Sequence, residues 1–132
     1  MSRKVCLLAA FTVATSLILL AGCRGDTPKD TTTTSDVFKA AHESIANLRT
    51  VIAQGNPRAT QRAVNAAGGI LSSLPQWIHS DGKGNVEERT KAIQEASIML
   101  GEEVAPLAEQ GNAAKANPKL DEVDSLITKA EQ

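Results

Sequence analysis

The chain has 132 residues, enough for one domain, with 14 basic against 15 acidic residues and a formal net charge of −1. That balance excludes the concentrated basic footprint of a nucleic-acid binder. Its two cysteines, Cys6 and Cys23, both lie in the first 23 residues, so the remainder cannot hold an internal disulfide and must rely on its core.

Arg3 and Lys4 open the chain, residues 5–20 carry no charge, and the small residues Ala21 and Gly22 precede Cys23. A basic start, an apolar middle and a small-residue exit form the layout of a secretory signal peptide. The uncharged run is also just long enough to span a bilayer as an uncleaved helix. Leu20-Ala21-Gly22-Cys23 resembles the lipobox of bacterial lipoproteins, and residues 1–23 together resemble a lipoprotein precursor. The resemblance implies thioether attachment of a diacylglyceryl group to Cys23 and cleavage before it. Two acyl chains, at about 0.8 kcal/mol per buried CH₂, anchor stably where one is marginal. The implied location is the cell membrane or outer membrane, facing the periplasm or exterior. In a cell with two membranes and enteric-type sorting, the resemblance with Arg24 in place of an aspartate would imply the outer membrane. Cleavage would remove Arg3 and Lys4, so that 12 basic residues face 15 acidic ones.

After the signal (residues 1–22), residues 23–34 read as the lipidated cysteine and a flexible tether. Residues 24–34 contain no large apolar side chain and cannot bury a core. From residue 35 the apolar period becomes helical, and residues 35–132 read as one helical domain. Helix one is predicted over about 36–54, with Phe38, Ala41, Ile45, Leu48 and Ile52 on one stripe, Ser35 or Asp36 as cap and Gly55 as stop.

Asn56-Pro57 starts helix two, whose stripe is Ala63, Ala66, Ala67, Ile70, Leu71 and Leu74. Gly68-Gly69 inside it suggests close helix contact, and Pro75 is expected to end or kink the helix near Ser73 or Leu74. The segment Leu74-Pro75-Gln76-Trp77-Ile78-His79 then becomes the most apolar connection of the domain. Trp77 and Ile78 are candidate interface residues there, either covering the end of the core or touching lipid at the membrane surface.

Asn85 caps helix three, with Glu88 completing a capping box. Its stripe is Val86, Ile93, Ala96, Leu100, Val104 and Leu107, and Pro106 is expected to kink it or to split off its last turn. After a loop over 111–116, Asn117-Pro118 starts helix four, which carries Leu120, Val123, Ile127 and Ala130. Four helices with short connections predict an all-α, up-down-up-down four-helix bundle. A net positive charge over 36–75 and a net negative charge over 85–110 are expected to help hold the helices in register.

Candidate chemistry is sparse. His42 and Met99 fall level with each other along the hairpins, and a His and a Met can hold haem. Both flank the stripes, and no Cys-x-x-Cys-His attachment sequence accompanies them. His42 and His79 are offset by about ten residues, roughly 15 Å along the helices. Neither histidine has a glutamate three residues before it, as a di-iron bundle requires. Glu88, Glu95, Glu102 and Glu109 form a row about 160° from the core stripe and read as a solvated ridge. No phosphate-binding loop or nucleophile motif is present, so no cofactor, metal or catalytic residue is expected. The leading expectation is a non-enzymatic, lipid-anchored module that binds or organises an envelope protein partner, held to the membrane through Cys23 and without affinity for nucleic acid. The alternative is a small-ligand, haem or metal carrier with its site in the bundle core.

Overall fold

The computed structural model describes residues 31–132. Cys23, the signal-like segment and most of the tether lie outside the described residues.

The longer helices each begin where a side chain satisfies the first backbone N–H groups. In α1 (Thr34–Gln54) that residue is Thr33, whose hydroxyl accepts from the Asp36 N–H at 3.2 Å. The Asp36 carboxylate accepts in return from the Thr33 N–H at 2.8 Å, closing a reciprocal capping box. Asp36 is therefore the third residue of the helix and not the cap, and Thr34, assigned to the tether from the sequence, is already helical. Gly55, at φ 69°, closes α1 in the left-handed conformation that glycine adopts without strain. Asn56 restarts the chain by accepting from the Arg58 and Ala59 N–H groups, with Pro57 in the first turn.

Helix α2 (Pro57–Asp81) runs through Pro75, where the sequence predicted a stop or kink. An interior proline costs about 3 kcal/mol because it deprives the carbonyl four residues back of its donor. Continuing the helix buries Ile78 completely beside Leu74 and half-covers Trp77. At about 1.5–3 kcal/mol for each large apolar side chain, that burial offsets the loss. The expected helix contact at Gly68-Gly69 is absent: a Cβ at either glycine would meet nothing within 4 Å. Ala66, expected in the core, is exposed, and the buried polar residue on this helix is Thr60.

Asn85 caps α3 (Val86–Met99) through the Glu88 N–H at 3.2 Å. The Glu88 carboxylate does not complete the expected box; it lies 3.3 Å from Lys129 of α5. Directly after α3, Leu100–Val104 form a π-helical turn and α4 (Ala105–Glu109) continues the same rod. The Ala105 N–H reaches back five residues to the Leu100 carbonyl. Pro106 stands in the first turn of α4, so the end of the rod is split off from α3 by the π turn, one of the two outcomes expected for this proline.

The turn also sets a packing register. Ala96, Leu100, Val104 and Ala108 are buried at successive four-residue steps. On a regular helix each such step drifts about 40° away from the core, and the extra residue of the π turn cancels the drift. Ala108 consequently takes the buried place predicted for Leu107, which is only partly covered.

Helix α5 (Ala113–Glu131) is capped by Asn112, which accepts from the Lys115 N–H at 3.2 Å. It starts a turn before the predicted Asn117-Pro118, and the earlier start buries Ala116. Asn117 caps nothing: its side-chain oxygen is buried without a hydrogen-bond partner.

Helix α1 packs on α2, α2 on α3, α3 on α5, and α5 closes against α1. The pairings Thr34 with Trp77, Arg49 with Asp121, and Glu88 with Lys129 run in opposite chain directions, so neighbouring helices are antiparallel. This is the up-down-up-down four-helix bundle expected from the sequence, with the third rod assembled from α3, the π turn and α4. Among the described residues there is no strand, and no helix is long and apolar enough to cross a membrane.

Candidate functional site

The end of the bundle where α1 and α3 begin and α2 and α5 finish holds the candidates Trp77 and Ile78. Adjacent helical residues point about 100° apart, so only one of the two can face the core. Ile78 does so, with no exposed surface, and belongs to the core. Trp77 is half-buried, and its backbone carbonyl accepts from the Thr34 hydroxyl at 3.3 Å.

The polar centre of this end is Arg89, only 6% exposed, which sequence reasoning did not single out. Its Nε donates to the Ala130 carbonyl at 2.6 Å, near the end of α5. Nη1 donates to the Lys83 carbonyl at 2.7 Å and to Asp81 at 3.0 Å, and Nη2 reaches the other Asp81 oxygen at 3.4 Å. The guanidinium lies 5.8 Å from the centre of the Phe38 ring. The last carbonyls of a helix carry partial negative charge, and the Ala130 carbonyl brings that end of α5 to the cation, while the end of α2 supplies the Asp81 carboxylate. The Lys83 N–H, donating to the Asp81 carboxylate at 3.0 Å, holds its pKa below the ordinary range, and Arg89 adds to that effect against the opposing cost of burial. A cleft of about 630 Å³ opens beside this cluster, with Thr33, Phe38, Trp77, Asp81 and Lys83 among its lining residues. The charged groups at its base bond each other, so the arrangement acts as a four-helix clasp. One signal was available in the sequence: Arg89 stands between Val86 and Ile93, where the α3 stripe calls for an inward residue.

The structure does not bring His42 and Met99 together. His42 lies on the α1–α5 seam, with Nδ1 2.7 Å from Asp124 and Nε2 3.5 Å from Glu131. Met99 is partly buried on the other side of α5, in a groove with Leu126. Glu88, Glu95, Glu102 and Glu109 are all exposed, as the period placed them. No group of three or more histidine, cysteine, aspartate or glutamate side chains able to hold a metal ion occurs among the described residues.

Fold and clasp together define an all-α antiparallel four-helix bundle locked at one end by a buried arginine. No protein-family model matches the chain, and no curated protein or solved structure matches it.

Proposed function

We propose that the protein is a non-enzymatic, lipid-anchored helical module that holds an envelope protein partner at a bacterial membrane. The observation that carries the reading is the succession along the chain. An apolar run ends in Leu20-Ala21-Gly22-Cys23, and only ten residues further on Thr33 caps the first helix of the bundle. Ten residues span at most roughly 35 Å, so a lipid on Cys23 would keep the bundle close to the membrane surface. The described polar clusters bond one helix to the next, at Arg89, His42, Arg49 and Lys119, which suits a rigid scaffold for a partner.

Cys23→Ser is expected to abolish lipidation and leave an uncleaved precursor. Mass spectrometry of the membrane-extracted protein reads both effects. An unmodified Cys23 in the mature wild type would end the anchored reading.

A further inference from the structure

We infer that the groove between the α3–π-turn rod and α5 is a docking site for a basic amphipathic helix of a partner protein. The proposal rests on the partner-holding reading above and gives that partner a chemistry. The groove has a volume of about 690 Å³, with Ile98, Met99 and Leu126 as its apolar floor and Glu95, Glu103 and Glu122 at its rim. Ile98 is 58% exposed and is the only large hydrophobic side chain so exposed among the described residues. A single exposed apolar residue is ordinary, but this one adjoins two partly buried apolar neighbours and the π turn. Together they make a depression that a neighbouring apolar side chain can fill.

Charge selects the occupant. No basic residue lines the groove. Lys119, held charged by hydrogen bonds to Glu103 at 2.9 Å and then Glu122 at 3.2 Å, offsets one of these two acids. Asp121, at the groove's edge, pairs with Arg49 at 2.6 Å. Glu95 has no ion-pair partner among the described residues, and the exposed Glu102 extends the acidic surface beyond the rim. A net negative rim around an apolar floor repels an anionic lipid surface and attracts lysines and arginines flanking an apolar stripe. A second copy of this chain is the rival occupant, since Arg58 and Arg62 of α2 are exposed and without ion-pair partners among the described residues. Yet α2 presents no exposed large hydrophobic side chain, so it has nothing to cover Ile98.

The test uses the full chain in nonionic detergent and a labelled helical peptide of leucines and lysines at i, i+3, i+4 spacing, with a leucine–glutamate peptide as its charge-reversed counterpart. The leucine–lysine peptide is expected to bind, more weakly as salt rises, and Ile98→Asp or the pair Glu95→Lys, Glu122→Lys is expected to weaken it at least tenfold, about 1.4 kcal/mol. Both sites are on the surface, and unchanged circular dichroism shows that the variants are folded. Absence of binding, equal binding by the variants, or equal binding of the leucine–glutamate peptide overturns the proposal. Self-association that Ile98→Asp dissolves also overturns it, by making a second copy the occupant. A lipidated Cys23 with no peptide binding removes the groove and keeps the anchored module; peptide binding with an unmodified Cys23 does the reverse.

Discussion

Arg89 shows how one side chain can organise four helices. Its guanidinium meets carbonyls of the α2–α3 loop and α5, the Asp81 carboxylate at the end of α2, and the Phe38 ring of α1. Removing one member of a buried pair leaves the other unpaired, which is worth about 3–5 kcal/mol. Arg89→Met is expected to lose stability of that order in urea unfolding, and Arg89→Lys to recover only part of it, since an ammonium lacks the planar fork. The Asp81 carboxyl also predicts a pH dependence. Its folded pKa is lowered, so the folded state favours the ionised form. The resulting stability is present above the unfolded value of about 3.9 and is lost as pH falls through the folded value. Asp81→Asn should therefore flatten the loss of stability below about pH 4 relative to the wild type. Position 89 falls on the inward face of α3, and a stripe read from apolar residues alone passes over it because its side chain is charged. The partners that make the charge tolerable come from 41 residues away along the chain in one case, and no local pattern reveals them.

At the scale of the helices, the starts at Asn56 and Asn85 were legible in the sequence and those of α1 and α5 were misplaced. Asn56, Asn85 and Asn112 each follow a glycine at positive φ, namely Gly55, Gly84 and Gly111 at 69°, 60° and 67°. The glycine turns the chain and the asparagine accepts the first N–H groups. Asn117-Pro118 looks like Asn56-Pro57 in sequence but lacks the preceding glycine, and the helix starts earlier. Asn112→Ala is expected to cost about 1 kcal/mol. Asn117→Ala should be neutral or stabilising, because it removes a buried acceptor that no donor satisfies. Thermal unfolding of the two variants side by side distinguishes the true cap. The proline at 75 misled in a related way. Local propensity favours a break there, whereas the tertiary gain from burying Ile78 keeps α2 intact.

For the molecule as a whole, stripe lengths and short connections sufficed to anticipate the bundle, but not the routing of its charges. The pairing expected between a positive first half and a negative third rod runs instead through α5. That helix presents Asp121 and Asp124 to Arg49 and His42 of α1, and Lys119 and Lys129 to Glu103 and Glu88 of the third rod. Most of these pairs are substantially exposed, and such pairs are worth about 0–1 kcal/mol each. Raising ionic strength from about 0.05 M to about 1 M should therefore shift stability only modestly. Asp121→Asn with Asp124→Asn should reduce the salt response, whereas Arg58→Gln with Arg62→Gln, which break no pair, should leave it unchanged. Denaturant midpoints across a salt series decide between them. The candidate groove was the least legible feature. Met99 and Ile98 sit beside the stripe in sequence, and only the π turn and the neighbouring Leu126 turn them into a floor.

The clasped end is also where the domain would take up a mechanical load. The chain enters the bundle at Thr33 and leaves it at Glu131, both on the clasped end. Tension arriving along the chain from the Cys23 side would reach Thr33 first, then the Thr34–Trp77 contact and the Phe38 ring beneath Arg89. Such a pull acts on the first turn of α1 alone and would open the bundle like a zipper, one turn at a time. At the tooth where that opening would begin, α1 is held by the Thr34–Trp77 hydrogen bond and by the Phe38 ring, whereas the hydrogen bonds of Arg89 join α3 to α2, its following loop and α5. With the load applied between Thr33 and the third rod, α1 would part from its neighbours before any Arg89 hydrogen bond broke, and the first-turn contacts of α1 would set the force the domain withstands.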